Sequence, residues 1–388
     1  MRFLHTSDWQ FGMFRNFIGS SNKDAQALYS ASRRNAVASI RKIALDVGAE
    51  FIVVSGDIFD NNQLSSREIS LSLEVMRYIG FKLYLLPGNH DPLEVLSIYT
   101  NDLFLSECPN NVIVLRQSGI YNVRPGVQIV AAPWKSKVPN FDLIRNAITG
   151  LTANGTIRIV VGHGRIDLLN PLINDDFSLI KISFIEKALN SGAIHYVALG
   201  DRHSCTKVGK TGRIWYSGSP EVTNYNDIES NSGNVLIVDI NEKEPQHNLR
   251  VKSKRVGKWK FITLCHNLDT EQDIINLDSA MAFFSNKEYT IIRLSLQGTL
   301  SIKNKVKLDD CIEKYKRLFG ALNIWERNTN ITVALSVTEF NNLNTIRFIS
   351  IALKKLVLMS HSKITSEAYD AQNALGLFLR LSKRKYVE

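Results

Sequence analysis

The chain has 388 residues, 44% hydrophobic and 22% charged, enough to bury a sizeable core and fill two domains. Its formal net charge is +10, and no uninterrupted apolar stretch approaches the roughly 20 residues of a membrane-spanning helix. The four cysteines (Cys108, Cys205, Cys265 and Cys311) lack CxxC spacing and the N-terminus opens on a strand pattern, which excludes a zinc ribbon or disulfide frame and sets the expectation of a cytoplasmic protein without a signal peptide.

Taken in chain order, Met1–Ser7 is a short apolar run that ends on Asp8-Trp9-Gln10. Asp24 to Val47 carries apolar residues near helical spacing, among them Ala36, Ile40 and Ile43, with Gly48 where a C-terminal cap belongs. Phe51–Ser55 reads as a strand and ends on Gly56-Asp57-Ile58-Phe59-Asp60. A second helix is expected from Ser65 or Ser66 to about Ile79, then a strand Phe81–Leu86 that ends on Pro87-Gly88-Asn89-His90-Asp91. This alternation predicts an α/β architecture with a largely parallel first sheet.

Val112–Leu115, Gly119–Val123 and Val127–Ala131, separated by Pro and Gly turns, are expected as an antiparallel stretch added to that sheet or packed on it. Strands Ile157–Val161 and His195–Leu199 flank a helix near Ser183–Ser191 and end on Gly162-His163-Gly164 and Gly200-Asp201-Arg202-His203. Arg213–Tyr216 and Asn234–Ile240 close a first domain of residues 1–250, because residues 241–258 turn polar. Strands near Trp259–Leu264, Thr290–Leu296 and Ile331–Ser336, with a helix at Asp309–Phe319, predict a small α+β domain over 251–340. A helical tail is expected over 341–388.

Charge divides in the same way. Residues 251–388 hold 22 Lys and Arg against 13 Asp and Glu, a net of +9, whereas residues 1–250 hold 25 against 24. The densest basic segment is Arg250, Lys252, Lys254, Arg255, Lys258 and Lys260 around Trp259, which suits either a phosphate backbone or a solvated linker.

Five apolar runs thus end in clusters of metal-type ligands, too far apart in sequence for a local motif. Strands of one sheet bring their ends together, so the clusters can line one crevice. Two divalent cations about 3.5–4 Å apart supply an activated water and charge neutralisation for phosphodiester hydrolysis. A carboxylate that bridges them holds such a pair, and Asp57 is the candidate. His90, beside Asn89, is placed to donate a proton. His5, His195, His247, His266 and His361 sit outside the clusters and are read as ordinary hydrogen-bonded residues.

In this order the clusters Asp8-x-Gln10, Gly56-Asp57-x-x-Asp60, Gly88-Asn89-His90-Asp91, Gly162-His163-Gly164 and Gly200-Asp201-x-His203 resemble the calcineurin-like metallophosphoesterase superfamily. Leu4-His5-Thr6-Ser7-Asp8, Ser55-Gly56-Asp57-Ile58-Phe59-Asp60, Leu86 to Asp91 and Tyr216-Ser217-Gly218-Ser219-Pro220-Glu221 are similar to its SbcD (Mre-eleven) DNA repair exonuclease branch. The resemblance covers roughly residues 1–240. It implies a four-layer αββα metallophosphoesterase sandwich with a small α+β C-terminal capping domain. It also implies Asp8, Gln10, Asp57 and His203 around one metal and Asp57, Asn89, His163 and Asp201 around the other, with His90 catalytic and Asp60 and Asp91 orienting the ligands.

Two positions depart from the family pattern: Gln10 and Asp201 stand where it usually has His. The set becomes five oxygen donors and two imidazoles, which favours Mn²⁺ or Mg²⁺. The resemblance implies a metal-dependent DNA exonuclease or endonuclease, homodimeric and nucleoid-associated, with an SbcC-type SMC-like ATPase docked on the helical tail. DNA would be held by Lys252, Lys254, Arg255, Lys258 and Lys260. A phosphoesterase for a small molecule or phosphoprotein, and a DNA-binding or regulatory subunit with a weakened site, stay open as alternatives.

Overall fold

A computed structural model describes the chain except for residues 20–22, 170–175, 177, 335–346, 361, 363–365, 369, 372–373 and 376–388. It divides into two compact units, one of residues 1–16 and 26–261, the other of residues 17–25 and 262–388.

In the first unit, β1 (Arg2–Thr6), β2 (Ile52–Val54), β3 (Leu83–Leu85) and β4 (Val112–Val114) run parallel side by side. Of the remaining strands, β5 (Gly119–Arg124), β6 (Val127–Ala131), β7 (Ile157–His163), β8 (Tyr196–Gly200), β9 (Thr206–Val208) and β10 (Ile214–Tyr216) make a second sheet, in which β6, β7, β8 and β10 are parallel. The first sheet is completed by β11 (Asn234–Ile240), antiparallel to β1, and β12 (Leu249–Arg255), antiparallel to β11. Its order is β12-β11-β1-β2-β3-β4, and the second is β5-β6-β7-β8-β10-β9.

Parallel strands buried on both faces read as continuous apolar runs, as Ile52–Val54 and Ile157–Val161 do. The inner faces meet through Phe3, Phe51, Val53 and Leu86 on one side and Ile129, Ile159, Val161 and Tyr196 on the other. Outside the first sheet lie the helices Lys23–Val47 and Ser66–Ile79, which bury Val37, Ile40, Leu73 and Met76. Outside the second lie Leu143–Ile148 and Ile182–Asn190, through Ile144, Ile185 and Leu189. The layers are therefore helix, sheet, sheet, helix, as expected. Ser65 caps its helix by accepting from the Glu68 N–H, and Gly80 ends it at φ 72°.

Three expectations are corrected. Residues 112–131 are not one antiparallel stretch: β4 extends the parallel first sheet, and only β5 turns back on β6. Residues 241–258 are not a linker, because Leu249 and Val251 pack inward while the alternating basic residues face out, making β12 an edge strand of the first sheet. The boundary at residue 250 therefore moves to Phe261, and Trp259 is buried in the first unit with its ring 5.6 Å from that of Tyr29.

The second unit is a small α+β body, in which β13 (Lys260–Asn267), β14 (Thr290–Ser301) and β15 (Ala321–Ile324) lie in that order, with β16 (Asn330–Ala334) parallel to β14. Helices Glu271–Ala282 and Ile302–Lys316 cover it through Leu277, Met281, Leu308 and Ile312. Of the expected tail, helix Arg347–Ser360 is described, whereas 341–346 and 376–388 lie outside the described residues. Among the described residues no helix is long and apolar enough to cross a membrane.

Candidate metal centre

The five clusters come together at the carboxyl ends of parallel strands of both sheets. Asp8 follows β1, Asp57 follows β2, Asn89 follows β3, His163 ends β7 and Asp201 follows β8. Among the described residues, four non-glycine residues have positive φ: Asp8 (52°), Gln10 (44°), Asp57 (55°) and Asp201 (95°). Each such conformation costs about 1–3 kcal/mol and persists where surrounding structure over-determines it. Here the loops lock together: Asp8 N–H donates to Gly56 O (3.0 Å), Gln10 N–H to Asp57 O (2.9 Å) and Phe11 N–H to Ile58 O (2.9 Å). The glycines of the clusters have a matching cause. A Cβ on Gly56 would collide with the His163 ring, and one on Gly88 with the Asp57 carboxylate.

Asp8, Asp57 and His163, all buried, present ligand atoms within 4.8 Å of one another. His163 Nδ1–H donates to Ser55 O (2.8 Å), which turns Nε2 into the crevice, 2.7 Å from Asn89 Oδ1, 3.3 Å from Asp57 Oδ1 and 4.0 Å from Asp201 Oδ1. On the other side His203 Nε2 lies 3.7 Å from Asp8 Oδ1 and 3.3 Å from Gln10 Nε2. Asp201 N–H donates to Asp8 Oδ1 (3.1 Å). Burial and neighbouring charge act strongly here. Burial pushes the Asp8 and Asp201 carboxyls above the ordinary carboxylate range. Burial also opposes charge on His163, but the Asp57, Asp8 and Asp201 carboxylates outweigh it and push the imidazole up to about 10. For Asp57 the His163 and His90 charges overcome burial and hold it below the usual value.

This donor set fits divalent cations. Carboxylates converge on two imidazoles, the Arg165 charge reaches Asp201, and Gln10 Oε1 is buried without a hydrogen-bond partner among the described residues. Such a carbonyl is available to a cation.

The model of the calcineurin-like phosphoesterase family matches residues 1–231. The chain belongs to that family. Its fold is similar to a Thermus thermophilus protein, TT1561 (9% identity, 66% of this chain and 98% of that one, TM-score 0.39), and to a dimetal phosphatase from Danio rerio (9%, 66% and 96%, 0.40). No curated protein matches the chain. Family membership makes it a metal-dependent phosphoester hydrolase.

Around the ligands, this phosphoesterase has supports that no sequence spacing marks. His203 Nδ1–H donates to Thr223 Oγ1 (2.6 Å), whose hydroxyl donates to Glu229 Oε2 (2.5 Å). Glu229 Oε2 itself lies 3.5 Å from His203 Nδ1. Burial disfavours charge on His203, and the Glu229 hydrogen bond and the Asp8 charge reverse the balance, raising it above its usual value. Glu229→Gln keeps the shape and removes the charge that orients this imidazole. It is expected to weaken divalent-metal binding roughly 10–100-fold, read by titration calorimetry, with the fold intact.

The Ser217–Glu221 segment holds the first cluster. Ser217 pairs with Ser7 (2.8 Å), Ser7 donates to Asp8 Oδ2 (2.5 Å) and Ser219 donates to Asp8 O (2.8 Å). Arg33, buried on helix Lys23–Val47, donates to Trp9 O (2.9 Å). Asp91 is buried and accepts from Gly88, Ile58 and Phe59, so it ties two ligand loops. The Asp60 backbone carbonyl accepts from His90 Nδ1–H (2.8 Å), while its carboxylate takes Asn61 Nδ2–H (3.4 Å). His5 is a buried core residue bonded to Tyr196 OH (2.9 Å), and burial lowers it to about 3.

Proposed function

We propose that the chain is a phosphodiesterase acting on DNA, of SbcD type, with Asp8, Gln10, Asp57 and His203 around one cation and Asp57, Asn89, His163 and Asp201 around a second. The five oxygen donors favour Mn²⁺ or Mg²⁺. Bound divalent ions supply charge neutralisation at the phosphate and a reactive water at neutral pH. The chain's own contribution is orientation. His163 and His203 have their Nδ1 protons committed to Ser55 O and Thr223 Oγ1, so Nε2 of each faces the crevice. His90 is partly exposed, with Nδ1–H committed to Asp60 O and Nε2 3.9 Å from Asp57 Oδ2. Proton exchange with a leaving oxygen therefore runs through Nε2.

The observation that carries DNA over a small ester is the basic edge strand. Arg250, Lys252 and Lys254 are exposed on one face of β12, successive members about 6.8 Å apart. Through the shared partner Leu236 of β11, Ser253 is level with His5, and Lys254 stands one residue farther along toward the end that carries Asp8. β12 lies two strand spacings, about 10 Å, from β1, so the row leads toward the crevice end of the sheet. Evenly spaced cations beside the crevice suit a polyanion and serve nothing in a small phosphomonoester. Arg255 is differently used: its guanidinium donates to Ser232 O and Trp259 O. By resemblance, an SbcC-type SMC-like ATPase and a second copy of the chain are the proposed partners.

The test is an end-labelled DNA assay with Mn²⁺ and Mg²⁺ beside bis-p-nitrophenyl phosphate and a phosphomonoester. Diester cleavage is expected, and turnover of the monoester alone would overturn the proposal. Changing Arg250, Lys252 and Lys254 together to Gln is expected to flatten the salt dependence of DNA binding by about 3 log units per log of salt, roughly one per cation. Turnover of bis-p-nitrophenyl phosphate should be unchanged.

A further inference from the structure

We propose that the cavity beside Asn89 and Asp201 is a subsite for a second phosphate, in which Lys137 holds the phosphate one nucleotide away from the scissile diester. This deepens the phosphodiesterase proposal and rests on it.

The cavity is about 560 Å³, and its wall includes Asn89, Asp201, Trp134, Lys137, Val138 and Arg165. It is thus continuous with two of the proposed metal ligands and falls within the roughly 300–1,000 Å³ of small-ligand sites. Its outer wall is the loop after β6, which carries no ligand of its own yet is pinned to two ligand loops. Trp134 N–H donates to Pro87 O (3.1 Å), Leu93 N–H donates to Trp134 O (3.0 Å) and the Trp134 indole N–H donates to His163 O (2.7 Å). A loop held this firmly against the centre has a task other than ligation.

Its residues indicate which. Lys137 is exposed and has no hydrogen-bond or ion-pair partner among the described residues. Arg165, also in the lining, is paired with Asp176 at 2.7 Å. Val138 is 77% exposed and lies against the same space, an apolar surface that a sugar or base can cover. Gly164 has φ 136°, a backbone conformation that favours glycine, and lies against the Trp134 ring. One unpaired cation, an apolar patch and an opening onto the centre match a nucleotide that carries its own phosphate. A substrate with a single phosphate would leave Lys137 idle.

The experiment compares the metal-loaded full chain and its Lys137→Gln variant on bis-p-nitrophenyl phosphate, the dinucleotide TpT, and pTpT and TpTp, which add a second phosphate on either side. In the wild type, one of the two longer substrates is expected to exceed TpT in kcat/KM by about 10-fold, the scale of one charge-assisted contact. Lys137→Gln should remove that advantage and leave TpT and bis-p-nitrophenyl phosphate unchanged. The dissociation constant of the favoured dinucleotide, measured in EDTA without turnover, should rise with the same substitution. Equal kcat/KM for TpT, pTpT and TpTp, or a Lys137→Gln loss shared by all substrates, overturns the subsite alone. Failure of the wild type to cleave any diester while it hydrolyses a monoester overturns the phosphodiesterase proposal beneath it.

Discussion

Asp57→Asn is expected to lower metal-dependent phosphoester hydrolysis by roughly 10³-fold or more, equivalent to about 4 kcal/mol of transition-state stabilisation. Asp57 is 2% exposed, lies between His163 and His90, and shares a 4.8 Å cluster of ligand atoms with Asp8 and His163. Among the described residues no other carboxylate pairs with both histidines within 4.0 Å, so none can replace its charge there. The choice of Asn isolates that charge. Asp57 sits at φ 55°, a left-handed conformation Asn tolerates and Ala resists. Its Oδ1 also accepts the His90 N–H at 3.0 Å, a bond an Asn carbonyl can keep and Ala would lose. The checks are kcat on bis-p-nitrophenyl phosphate, the metal dissociation constant and the melting temperature. A wild-type kcat with a normal melting curve would place catalysis elsewhere.

What could be foreseen here has a physical pattern. Strands buried on both faces must be apolar runs, and ligands at their carboxyl ends must follow those runs at once, so Asp8, Asp57, Asn89, His163 and Asp201 stood out as punctuation. Pairing partners did not, because Val112–Val114 and Gly119–Arg124 have similar local patterns, yet one is parallel to β3 and the other antiparallel to β6. β12 was hidden by its solvent face: Arg250, Lys252 and Lys254 made a strand look like a charged linker, although Leu249 and Val251 alternate with them. The residues behind the ligands were out of reach for another reason. Glu229 and Thr223 lie 26 and 20 residues from His203, and Arg33 sits mid-helix, so their roles arise only from tertiary contact. Asp60 shows that a motif position can also meet its neighbour through the backbone, here with its carbonyl on His90.

Asp91→Ala is expected to destabilise the first unit by about 3–5 kcal/mol, the scale for removing one partner of a buried charged network. Asp91 is wholly buried and its carboxylate accepts four hydrogen bonds, from the N–H groups of Gly88 (2.7 Å), Ile58 (2.9 Å) and Phe59 (3.0 Å) and from Tyr99 OH (2.6 Å). Burial raises this carboxyl to about 6, with the Asp57 charge adding to the rise and the Tyr99, Phe59 and Gly88 donors opposing it. Alanine leaves three backbone donors and a phenol without partners in a space that excludes water. Those donors belong to the loops that carry Asp57 and Asn89, so a second effect accompanies the first: the two ligands lose their common tie and metal affinity falls. At roughly 2–4 °C per kcal/mol for a unit of this size, the melting temperature should drop by about 6–20 °C. Tyr99→Phe provides the control, since it removes one donor and leaves the carboxylate bonded to the backbone; its cost should be near 1 kcal/mol with metal affinity preserved. If Asp91→Ala melts with the wild type and binds metal equally well, the tie between the loops is made elsewhere. A loss of stability without a loss of metal affinity would show instead that Asn89 and Asp57 are held by their own strand ends, β3 and β2, and that Asp91 serves only the packing beneath them.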